Sequence, residues 1–114
     1  SPSKAKVKPK LDNKERKRLK KELTLARSKE NAPHKKELEF CEAKIMELEV
    51  ELENENQKLI EASNTGDNSI IIEASQSVGK LQKEVDELFE RLEIASHAFD
   101  EIEKKYLALL DKLE

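Results

Sequence analysis

From Leu38 onward, residues recur at steps that alternate between three and four. The first series is Leu38, Cys41, Ile45, Leu48, Leu52, Glu55, Leu59 and Ala62. The second is Ile71, Ala74, Val78, Leu81, Val85, Leu88, Leu92, Ala95, Phe99, Ile102, Tyr106, Leu109 and Leu113. Glu55 is the one polar member. A mean step of 3.5 falls short of the 3.6 residues of a straight helical turn, so the seam stays in contact only if two helices wind left-handedly around each other. Between the series stands "SNTGDNS". Gly66 suits a left-handed C-terminal cap, and Asn68 or Ser69 can cap the next helix. So short a connection makes the neighbours antiparallel.

The two series also mirror each other. Facing residues have numbers that add to 133, as in Ala62 with Ile71, Leu52 with Leu81, Leu48 with Val85, Ile45 with Leu88 and Cys41 with Leu92. Glu55 falls opposite Val78, beside Gly79, where a polar layer costs stability and fixes register. Composition points the same way. With 41% charged residues, 4% aromatics and no tryptophan, 114 residues are too poor in bulk for an ordinary globular core, yet too periodic for disorder. The expected class is all-α: an antiparallel two-helix coiled-coil hairpin, about 45 Å long in its strict part at 1.5 Å per residue. Burial of each Leu or Ile contributes roughly 1.5–3 kcal/mol, which lone helices lack.

The N-terminal third departs from the pattern. Residues 1–11 read as a flexible basic linker, with Pro2 and Pro9 bracketing lysines and small residues. A helix is expected over 12–29, capped by Asp12 with Glu15 three residues on. "ENAP" should interrupt it, since Pro33 lacks a donor and restrains Ala32. The expected elements are then helix 33–63, turn 64–68 and helix 69–113, with 12–114 forming one hairpin domain. Extending the register toward the N-terminus would bury Asn31, Arg27, Thr24 and Lys20, so it is expected to fail there. A short kinked first helix, offering Leu19, Leu23 and Ala26, should dock at the base of the hairpin.

Several function classes drop out. The longest apolar run, "YLALL", is far shorter than the roughly twenty residues that span a bilayer, so no membrane contact is expected. No GxxxxGK[ST] context surrounds Gly66 or Gly79, and no catalytic constellation or cofactor site is expected in this fragment. The acidic residues read as solvated helix faces. His34, His97 and Cys41 do not converge as a metal site. A lone cysteine fits a reducing, cytoplasmic setting.

One feature stands above this background. Ten of the 22 basic residues lie within the first twenty-one positions, opposed only by Asp12 and Glu15, while the chain as a whole carries a net charge of −3. Lys4, Lys6, Lys8, Lys10, Lys14, Arg16, Lys17, Arg18, Lys20 and Lys21 form the candidate phosphate-binding set, extended by Lys35 and Lys36. Such contacts position a protein on a polynucleotide without reading its sequence.

"KPKLDNKERKRLKKEL", followed by "IMELEVELENENQKLIEASNTGDNSIIIEASQSVGKLQKEVDELFERLE", resembles the C-terminal domain of the ABC-F ATPases of the Uup type. Lys10, Leu11, Lys14 and Glu15 match the basic start of that domain, with Asp12 and Asn13 in place of its Ser-Tyr pair. Tyr106 and the final "KLE" match its end, with leucines where the family has tryptophan. The resemblance implies a non-enzymatic, DNA- or ribosomal-RNA-binding coiled coil attached to the ATPase domains of a soluble, cytoplasmic parent protein, while the eight or so apolar layers lead one to expect a monomeric fragment. The competing reading is a structural or protein-docking hairpin without nucleic-acid affinity, using Phe40, Phe89 and Ile94 off the seam.

Overall fold

The computed structural model describes residues 12–114. These are helical almost throughout, with no strand among the described residues. Helix α1 runs Asn13–Thr65 and α2 runs Asn68–Asp111. Both are rich in Leu, Glu and Lys, which lose little side-chain freedom in a helix. Contacts group into two units, one of 33–98 and the other of 12–32 with 99–114.

In unit 33–98 the chain folds back on itself as an antiparallel hairpin with the expected register. Cys41, Ile45 and Leu48 are buried with Val85 and Leu88, and Leu81 and Leu92 pack against them. Ala62 and Ala74 close the end nearest the turn, both buried. Glu55 sits half-buried on the seam, as its position in the series requires, and accepts from Lys58 at 3.0 Å.

The reversal uses little chain. Gly66 has φ +73°, a conformation that costs other residues steric strain. The Asp67 N–H then donates back to the Ala62 carbonyl at 3.0 Å, which satisfies one of the free carbonyls at the end of α1. The cap of α2 is Asp67, whose Oδ1 accepts from the Ile70 N–H at 3.3 Å, rather than the expected Asn68 or Ser69. Asp67 does so because it stands three residues before a free amide, while Asn68 is already helical.

In the second unit Asp12 caps α1 as expected. Its Oδ1 accepts from the Glu15 N–H at 2.7 Å. Two expectations are corrected. First, no helix ends near Lys29, because α1 passes through Pro33 without interruption. Pro33 is exposed, so its ring meets solvent, and it leaves only one carbonyl, that of Lys29, without its usual donor. The first helix is therefore the opening stretch of α1 and not a separate short element.

Second, the register does not fail at Pro33. Asn31 is 4% exposed and Arg27 is half-buried, so both occupy the seam. The phase changes one layer further on. Leu23 and Leu19 are half-buried where Thr24 and Lys20 are exposed, and Ala26 is exposed as well. On α2, Leu110 is half-buried where Leu109 is 36% exposed. Each helix thus takes a step of four where three was due, from Arg27 to Leu23 and from Tyr106 to Leu110. Both steps fall at the same level, so Leu23 and Leu110 again add to 133. An extra residue of this kind brings the local repeat closer to that of a straight helix and relaxes the supercoil there.

Candidate nucleic-acid interface

The first two turns of α1 carry most of the described candidate residues. Lys14, Lys17, Arg18 and Lys21 follow the spacing i, i+3, i+4, i+7, which lines one face of a helix. All four are exposed, and that face lies opposite the half-buried Arg16, Leu19 and Leu23. Lys14, Lys17 and Lys21 make no ion pair with a described residue. Arg18 pairs with Glu22 at 2.9 Å, both well exposed, a contact worth little in water.

The six predicted cations of this helix do not converge as one group. Arg16 turns toward the seam and donates to Asn13 Oδ1 at 3.4 Å. Lys20 reaches Glu114 at 3.2 Å. Lys35 and Lys36 are exposed but belong to unit 33–98. Lys4, Lys6, Lys8 and Lys10 lie outside the described residues. One residue was overlooked: Lys29 is exposed eleven residues after Arg18, hence on nearly the same side. The signal existed as an i+11 spacing, but a helix ending at 29 would have placed it in a frayed last turn. The face from Lys14 to Lys29 runs for about 22 Å at 1.5 Å per residue.

Two titratable clusters lie elsewhere, and each ties the helices together. In unit 33–98 the Glu37 carboxylate accepts from the Cys41 thiol at 3.2 Å and pairs with Arg91, whose guanidinium also lies 5.2 Å from the Phe40 ring centre. The Cys41 hydrogen bond and then Arg91 hold Glu37 below the usual carboxylate range. Burial, with Glu37 beside it, pushes the Cys41 thiol up, so it stays protonated and unreactive at neutral pH. In the other unit the Glu30 carboxylate receives Lys105 at 2.8 Å and the Tyr106 hydroxyl. That hydrogen bond to Glu30 is the main cause that raises both the Lys105 and the Tyr106 pKa. Neither cluster contains a base, nucleophile and open cavity together, and both work as clasps.

Among the described residues, no three His, Cys, Asp or Glu side chains gather as a metal site. No helix among the described residues is long and apolar enough to cross a membrane. Comparison with family models, with curated proteins and with solved structures gives no match.

Proposed function

We propose that this chain is a nucleic-acid-binding coiled-coil module, a non-enzymatic part of a soluble ABC-F-like ATP-binding protein. Its basic face would contact the phosphates of DNA or ribosomal RNA. The observation that carries the reading is the exposed stripe of Lys14, Lys17, Arg18 and Lys21 on a continuous helix, three of them unpaired with any described residue. A stiff helix holds the four charges in place, so little ordering entropy opposes their use. No aromatic lies among them to stack on bases, so binding should tolerate sequence. The resemblance to ABC-F C-terminal domains supplies the setting of a cytoplasmic ATPase.

The test is fluorescence anisotropy with duplex DNA and with structured RNA over a range of salt. Replacing Lys14, Lys17, Arg18 and Lys21 by Gln should weaken binding and flatten the log–log salt slope by about 3.6 on duplex DNA, at roughly 0.9 per phosphate contact. Affinity and slope unchanged by the four substitutions would refute the proposal.

A second reading has its own observation. Phe40, Met46, Val50, Phe89 and Ile94 are all about half exposed or more in unit 33–98. Scattered apolar residues are ordinary on a surface. These five, with Ile60 and Ile72 also more than half exposed in the same unit, suit a structural or protein-docking role, which a chain without polyanion affinity would favour.

A further inference from the structure

The two flanks of the hairpin in unit 33–98 differ in charge. With Leu38, Ile45 and Leu52 as position a of a heptad, and Cys41 and Leu48 as d, positions e and b fall on one side of the seam. Positions g and c fall on the other. The g/c flank mixes both signs. One groove along it is lined by Phe40, Lys44, Glu84, Glu87 and Arg91, and the next by Glu51, Glu55, Lys58, Lys80 and Glu84. The Glu37–Arg91 pair that links the helices lies here.

On the e/b flank Lys35 stands one heptad before Glu42, and from Glu39 to Asn56, with Gln82, Asp86, Phe89 and Glu93 across from them, there is no base. Its grooves are lined by Leu38, Glu42, Phe89, Leu92, Glu93 and Ser96, and by Met46, Glu49, Val50, Glu53 and Asn54. Glu42, Glu49 and Glu93 make no ion pair with a described residue, and Glu53 accepts only a neutral donor, Gln57, at 3.2 Å. Met46 and Phe89 stand among them, 70% and 48% exposed. Unopposed carboxylates interleaved with large apolar side chains leave a surface that a basic helix with an apolar contact would complement.

The same chain offers such a helix. The stripe of Lys14, Lys17, Arg18 and Lys21 is followed on the same side of the helix by Leu25, 63% exposed. From Lys14 to Leu25 is eleven residues, about 16 Å, and from Glu42 to Glu53 is the same. We propose that a second copy of this chain seats its Lys14–Leu25 face on the Glu42–Glu53 flank. The occupant is argued from opposite charge and from an exposed apolar residue on each surface, Leu25 on one and Met46 on the other. The contact joins unlike surfaces and uses the face assigned above to phosphates, so a polyanion and a second copy compete for it. The association itself does not depend on nucleic-acid binding.

Sedimentation equilibrium of the full chain tests this at about 0.02 M and about 1 M salt, where screening lengths differ several-fold. The expected result is self-association at low salt that weakens at least tenfold at high salt. Glu42→Gln, Glu49→Gln, Glu53→Gln and Glu93→Gln together should abolish it, as should the four Gln substitutions on the basic face. A mixture of the charge-swapped chains, E42K/E49K with K14E/K21E, should associate where neither does alone. Helical circular dichroism checks that each variant is folded, and the salt response of the unaltered chain needs no variant. A monomer at low salt overturns the proposal, and so does association that survives either Gln set. The Glu→Gln chain retains the whole basic face, so its DNA titration judges the proposed function separately.

Discussion

The two units use the same pair of helices but close them differently. In 33–98 the seam is apolar, with Cys41, Ile45, Leu48, Val85 and Leu88 all buried, and one ion pair, Glu37–Arg91, links α1 to α2. In 12–32 with 99–114 the layers contain Asn31 and Arg27. There the helices are tied by Lys20–Glu114, Arg27–Glu103 at 3.6 Å, Glu30–Lys105 and the Tyr106 hydroxyl on Glu30. Apolar burial is non-directional and supplies most of the free energy. Exposed ion pairs supply little, and hydrogen-bonded polar layers mainly specify register. The first unit should therefore hold the stability and the second the alignment.

Truncating the apolar seam should have the largest effect. Leu48 is 3% exposed, and Leu48→Ala should cost about 2–5 kcal/mol in denaturant unfolding, lost transfer energy plus a cavity. A cost below about 1 kcal/mol would show that the polar unit sustains the fold instead.

The next effect has the opposite sign. Asn31 Nδ2 donates to the Phe99 carbonyl at 3.4 Å and to Glu103 at 3.1 Å, while its buried Oδ1 has no partner. Replacing Asn31 with Leu removes that unsatisfied oxygen and should stabilise by about 1 kcal/mol. It should also loosen register, and broadened amide resonances in 99–114 would report this. A loss of stability would mean that the hydrogen bonds of the polar layer outweigh its desolvation.

Tyr106→Phe keeps the buried ring, 8% exposed, and removes only the bond to Glu30. The expected cost is about 1 kcal/mol, since Lys105 still neutralises the carboxylate. Amide exchange should quicken in 99–114 and not in 33–98. Equal acceleration in both regions would mean that they open as one.

The smallest effect is one of pH. Tyr106 and Lys105 bind their protons more tightly in the folded chain. Their contribution is complete at neutral pH and fades as pH climbs past about 10, the ordinary tyrosine value. Glu37 behaves in reverse. Its pKa is lowered on folding, so its contribution is complete above the ordinary carboxylate range and is lost as pH falls through the depressed value. Alkali should thus loosen the 99–114 end first and acid the Arg91 layer first, as pH-dependent amide exchange would show. The reverse order would dissolve the distinction.

Periodicity determined much of this molecule in advance. A helix class, antiparallel sense, pairing to 133, the Gly66 reversal and the Asp12 cap all follow from local spacing and local chemistry. Each depends on contacts within a turn or on repetition over many layers. What could not be read was local preference overruled by packing. Pro33 looks like a stop, yet α1 runs through it, and in the other unit Asn31 and Arg27, residues that composition assigns to the surface, lie between the helices. Their partners, Phe99, Glu103 and Tyr106, lie roughly seventy to eighty residues away. The candidate basic face shows the same division. Its charges are plain in the chain, but only a helix docked on α2 decides that Arg16 is half-buried and Lys20 reaches Glu114 while Lys14, Lys17, Arg18 and Lys21 share the side open to solvent. A side chain's type is a local property, and its direction is set by whichever neighbour the fold brings against it.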